Sequence, residues 1–83
     1  MHAASEIQDI IKDIIAQELA VNKDELKAEV SFHDLGLDSV NSIFLIALLE
    51  EKLGIDIDPM SVYDNPSIRS FSEYIVAEVN GTR

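Results

Sequence analysis

A serine stands directly after an acid where a loop gives way to an apolar run, in Asp34-Leu35-Gly36-Leu37-Asp38-Ser39-Val40. If that run is a helix, the N–H groups of its first turn have no carbonyl to bond, and its dipole end is positive. A phosphate esterified to Ser39 would be favourably placed there, which makes Ser39 a good site for a phosphodiester. On these residues alone a second reading stands beside it. An Asp-Ser ahead of an apolar helix is ordinarily just a cap.

Other chemistries fit the residues less well. A hydrolytic serine needs a general base within reach and an oxyanion hole. Leu37 and Asn41 stand where a nucleophile elbow would have glycines, and only His33 is nearby in sequence, so no catalytic role is expected. His2 and His33 are the two histidines and do not form a convergent ligand set. Asp56, Asp58 and Asp64 are too sparse, and Pro59 too disruptive, for a calcium loop. There is no cysteine, which excludes disulfides, thiolate catalysis and Cys-ligated zinc. No metal site is expected.

The elements that position Ser39 follow from composition and periodicity. With 83 residues, 47% hydrophobic and 27% charged, the chain is expected to form one globular domain over residues 1–83, too small for a deep catalytic cleft. Six Lys+Arg against 16 Asp+Glu leave a net charge of −10, which argues against nucleic acid and anionic membrane and suits larger, more basic partners. The longest unbroken apolar run, Ile43 to Leu49, is seven residues, where a span needs about 20. Met1 to Ser5 has no basic region or apolar segment of a secretory signal, so the default address is cytoplasmic. No role is assigned to Met1-His2 or Gly81-Thr82-Arg83.

Ile7, Ile10, Ile11, Ile14, Ile15 and Leu19 repeat at helical spacing and predict a first helix over about 5–20, with Ser5 as its N-cap. A long connection from about Val21 to Asp38 follows, pinned by Leu26, Val30, Phe32, Leu35 and Leu37, with room for one helical turn. Gly36 sits where a turn of positive φ would need it. A second helix is expected over 39–53, capped by Asp38 and ended by Gly54. It is apolar nearly all round, so it is either buried or meets a partner on a second face. Asp58-Pro59 opens a short helix over about 59–63. Asn65-Pro66-Ser67 opens the last, over 67–79, with Ile68, Phe71, Tyr74, Ile75 and Val79 as its stripe. The expected fold is all-α, a small four-helix bundle of three longer helices and one short one.

With these residues in place, the chain resembles the acyl and peptidyl carrier proteins. Leu35-Gly36-Leu37-Asp38-Ser39-Val40 is similar to their phosphopantetheine attachment motif, and Tyr63-Asp64-Asn65-Pro66-Ser67-Ile68 to their later Phe-Asp-x-Pro-Thr-Ile-like signature. The resemblance covers essentially the whole chain. It implies that Ser39 receives 4′-phosphopantetheine from coenzyme A through a phosphopantetheinyl transferase. It also implies that Asp38 assists at that transferase's metal ion and that Gly36 lets the loop present the serine. Cargo would ride as a thioester on the thiol of the arm, which the cysteine-free chain cannot itself supply. The protein would be a monomeric, non-catalytic shuttle serving acyltransferases, ketosynthases or other pathway enzymes.

The sequence departs from the fatty-acid-synthesis carriers, where Leu-Asp follows the serine and a Glu stands five residues beyond it. Val40, Asn41 and Phe44 occupy those places. These three residues are expected at the docking surface, Phe44 with a core position as its alternative. The pattern looks more like polyketide carriers, with nonribosomal peptide carriers as the alternative. A fatty-acid-synthesis carrier, or an adaptor never modified on Ser39, are further alternatives.

Overall fold

The computed structural model describes residues 3–81. The chain ends to which no role was assigned, Met1-His2 and Thr82-Arg83, lie outside the described residues. Among the described residues four α-helices make up the architecture: α1 (Ala4–Leu19), α2 (Ser39–Leu53), α3 (Ser61–Asp64) and α4 (Ile68–Asn80). One 3-10 turn, Lys23–Glu25, interrupts the long connection between α1 and α2. The four-helix, all-α expectation is met, and the bounds of α2 coincide with those expected.

The core is built where α1 packs on both α2 and α4. Ile7, Ile11, Ile14 and Ile15 of α1, Leu45, Ile46 and Leu49 of α2, and Ile68, Phe71 and Ile75 of α4 are buried together. Residues three and four apart on each helix fall on one side, so the aliphatic spacing selects this face. Phe71 joins the long connection to the bundle. Its ring meets Phe32 edge-on at 5.8 Å and stacks on Tyr74 at 6.2 Å, geometries that aromatic quadrupoles favour.

Three expectations need correction. The N-cap of α1 is Ala3, with no side-chain bond, and Ser5 lies inside the first turn, because the helix begins one residue earlier than the periodicity suggested. Asp58-Pro59 does not start α3. Asp58 Oδ1 accepts the Met60 N–H at 2.9 Å and its carbonyl accepts the Ser61 hydroxyl at 2.6 Å, forming a separate turn before Ser61 begins the helix. Val30 is only half-buried, and Ala28 is buried instead.

The connection is fastened to the segment ahead of α4 by backbone bonds. Phe32 N–H donates to the Pro66 carbonyl at 2.7 Å, Arg69 N–H to the Ala28 carbonyl at 2.9 Å, and Ser31 and Ser67 form an isolated antiparallel bridge. A buried loop must pair its peptide groups somewhere, and here Asn65-Pro66-Ser67 and the first turn of α4 supply the partners. Lys23, on the 3-10 turn, pairs with Asp9 and Asp13 of α1. Those two carboxylates, Asp9 first, raise the lysine above its ordinary value.

Candidate functional site

Ser39 is the first residue of α2 and is exposed. Its placement follows from its neighbours on both sides. Upstream, Leu35 N–H bonds the Ser31 carbonyl and Gly36 N–H the His33 carbonyl, both at 3.0 Å. Gly36 then takes φ +92°, a conformation that L side chains rarely adopt, and the chain reverses so that Leu37 N–H reaches the Phe32 carbonyl at 2.9 Å. Leu37 is buried, so it anchors the loop immediately before the serine. Gly36 therefore fixes the backbone of the turn ahead of Ser39.

Downstream, Asp38 caps α2. Its Oδ1 accepts the Asn41 N–H at 2.8 Å, and the Asn41 side-chain oxygen accepts the Asp38 N–H at 3.2 Å. This is a reciprocal capping box with Asn in place of the usual Glu or Gln. The Ser42 hydroxyl donates to the Asp38 carbonyl at 3.0 Å. No bond from the Ser39 hydroxyl to any described residue accompanies these. The cap thus belongs to Asp38, which leaves the serine oxygen available.

Beside Ser39 lies an open cleft of about 350 Å³. Phe32, Leu37, Val62 and Pro66 give it an apolar wall, and His33 and Tyr63 complete its rim. The first turn of α2 meets it with amides that have no carbonyl partner within the helix.

The residues expected at a docking surface lie along the exposed side of α2. Val40 is 59% and Phe44 55% exposed, so Phe44 is not a core residue. Asn41 is half-buried and its amide is engaged in the cap. Sequence reasoning missed Ile43, Met60 and Tyr63, which are as exposed as Phe44 or more so. A groove of about 390 Å³ lined by Ile43, Ala47, Ile57 and Pro59 runs from α2 to the turn before α3. The available signal was an apolar content in α2 larger than one buried face can use. Among the described residues no three His, Cys, Asp or Glu side chains cluster as a metal site, and no helix is long and apolar enough to cross a membrane.

The family model described as the phosphopantetheine attachment site matches residues 9–75, and the chain belongs to that family. It is 32% identical over 74 residues to the conidial pigment polyketide synthase PfmaE of Pestalotiopsis fici, a match covering 89% of this chain and 3% of that protein. The chain therefore spans a small fraction of the length of that curated relative. Among solved structures it is similar to a free-standing peptidyl carrier protein from an uncharacterized secondary metabolic pathway of Acinetobacter baumannii. That likeness has TM-score 0.87 and 26% identity, and covers 92% of this chain and 95% of that one. It is also similar to the HMG-ACPI domain from the CurA module of Lyngbya majuscula, with TM-score 0.82, 27% identity, and 96% and 83% of the two chains covered.

This chain is accordingly a carrier protein, and its prosthetic group is covalent 4′-phosphopantetheine. The surroundings of Ser39 would fit such a group: an exposed serine, its hydroxyl without a partner among the described residues, stands at the head of a 15-residue helix beside an open cleft.

Proposed function

We propose that Ser39 is the attachment residue and that the described bundle acts as one carrier domain for polyketide intermediates. The observation that carries this reading is the exposed Ser39 hydroxyl at the N-terminus of α2, held there by the Asp38–Asn41 box rather than used in it. In the loading step the Ser39 oxygen bonds the phosphorus of coenzyme A that bears the pantetheine. The pyrophosphate P–O bond breaks, adenosine bisphosphate leaves, and the hydroxyl proton passes to a base of the transferase. The bound arm supplies a thiol on which an acyl group rides as a thioester.

The chain's own residues present and orient. Asp38 spends Oδ1 on the cap, which leaves Oδ2 for a metal ion held by the transferase. Gly36 fixes the turn that exposes the serine. Val40, Phe44 and their exposed neighbours offer apolar area to pathway enzymes such as acyltransferases and ketosynthases, while the net charge of −10 favours encounter with basic surfaces.

Incubation with coenzyme A and a broad-specificity phosphopantetheinyl transferase tests the assignment. Intact mass should rise by one phosphopantetheinyl group and stay unchanged in Ser39→Ala. Loading that persists in Ser39→Ala, or a folded wild type that never loads, would overturn it. A second reading, peptidyl carriage, is favoured by the likeness to the Acinetobacter baumannii peptidyl carrier. Charging by an adenylating enzyme with an amino acid, against transfer from acyl-coenzyme A, separates the two.

A further inference from the structure

The charges around the cleft beside Ser39 are unequal. Among the described residues lining it, His33 alone can become a cation, and no described Lys or Arg is among them. His33 is exposed and its backbone is held in place. Its carbonyl accepts the Gly36 N–H at 3.0 Å, the next residue's N–H donates to the Ser31 hydroxyl at 3.1 Å, and Phe32 before it is tied to Pro66. The imidazole thus hangs from a fixed turn at the rim of the cleft that Ser39 also lines. A phosphodiester on Ser39 places a permanent negative charge at that rim, and a charge-assisted bond is roughly twice as strong as a neutral one.

We propose that His33 is a positioning residue for the arm: its imidazolium pairs with the phosphodiester on Ser39 and turns the arm toward the wall of Phe32, Leu37, Val62 and Pro66. This rests on Ser39 being the attachment residue. Paired, the arm lies along the cleft; unpaired, it extends toward a partner enzyme. The other titratable groups lining the cleft are Asp38 on the loop and Tyr63 on α3, and exposed Asp34 follows His33 in the chain. Asp38 has one oxygen committed to the cap and is the one carboxylate among the residues lining the cleft with the imidazole.

Phosphorus NMR of the loaded protein reads the contact directly. A phosphodiester does not titrate between about pH 5 and 8, whereas histidine changes charge there. The phosphorus resonance of the wild type should step with pH across that window, and the step should vanish in His33→Gln. In His33→Lys, which stays cationic throughout, the resonance should remain at its acid-side position. Intact mass on each sample first establishes loading, and helical circular dichroism establishes folding. Full loading with the same pH profile in wild type and His33→Gln overturns the role of His33 alone. Loading that survives Ser39→Ala overturns the attachment reading beneath it.

Discussion

Helices α1 and α2 have 16 and 15 residues and are both rich in aliphatic side chains, yet they use them in opposite ways. In α1 the isoleucines form a stripe: Ile7, Ile11, Ile14 and Ile15 are buried, and acids and polar groups occupy the far side. In α2 only Leu45, Ile46 and Leu49 are buried, while Val40, Ile43, Phe44 and Leu48 are exposed. Aliphatic content therefore says little about burial until it is divided by face. The apolar area of α1 is spent on the fold. That of α2 exceeds what the fold covers, which is why the docking surface is proposed there.

Paired substitutions can break this comparison. Ile11 is fully buried, so Ile11→Ala should cost about 2–5 kcal/mol in urea unfolding. An effect as small as that of a surface substitution would remove α1 from the core. Gly36→Ala should cost about 1–3 kcal/mol, because its Cβ meets no atom within 4 Å and the penalty is backbone strain at positive φ alone. Asp38→Ala, which deletes the side-chain half of the cap, should cost about 0.5–2 kcal/mol and slow loading as well.

Alkaline pH probes the two fastenings away from α2. Lys23 is raised by Asp9 and Asp13, and Tyr74 is raised by burial first and then by Glu78. Each favours its protonated form in the fold, so their contribution is complete below about pH 10 and declines as pH climbs through the raised values. Thermal midpoints should fall there, and less steeply in Lys23→Met or Tyr74→Phe. The smallest stability change is expected at Phe44. Phe44→Glu should shift unfolding by within about 0.5 kcal/mol and leave loading intact, while processing by pathway enzymes drops. Loss of the fold in that variant would place the ring in the core and erase the contrast between the helices.

Much of the candidate site is legible in the sequence. The order of elements, the extent of α2, its cap at Asp38 and the positive φ at Gly36 all follow from local rules of spacing, capping and turn chemistry. Those rules act within four residues, and the sequence displays such neighbours directly. They failed at the start of α3, where the Asp58 turn and the helix compete for the same short stretch, and at Ser5, where nothing local distinguishes a cap from a first-turn position.

The sequence by itself determined the serine, its acid, the helix behind them and the lack of any native thiol, because each is written in consecutive residues. Tertiary structure decided which face of α2 the bundle leaves bare, so that Phe44 is surface and Leu45 is core. It also decided that Pro66 and Ser67 clamp the loop of Phe32 and Ser31, and that His33 shares a cleft with Ser39. The clamp joins segments some 35 residues apart in the chain. Such pairings arise only when the core brings the segments together, since burial supplies the free energy and no local pattern encodes the partner.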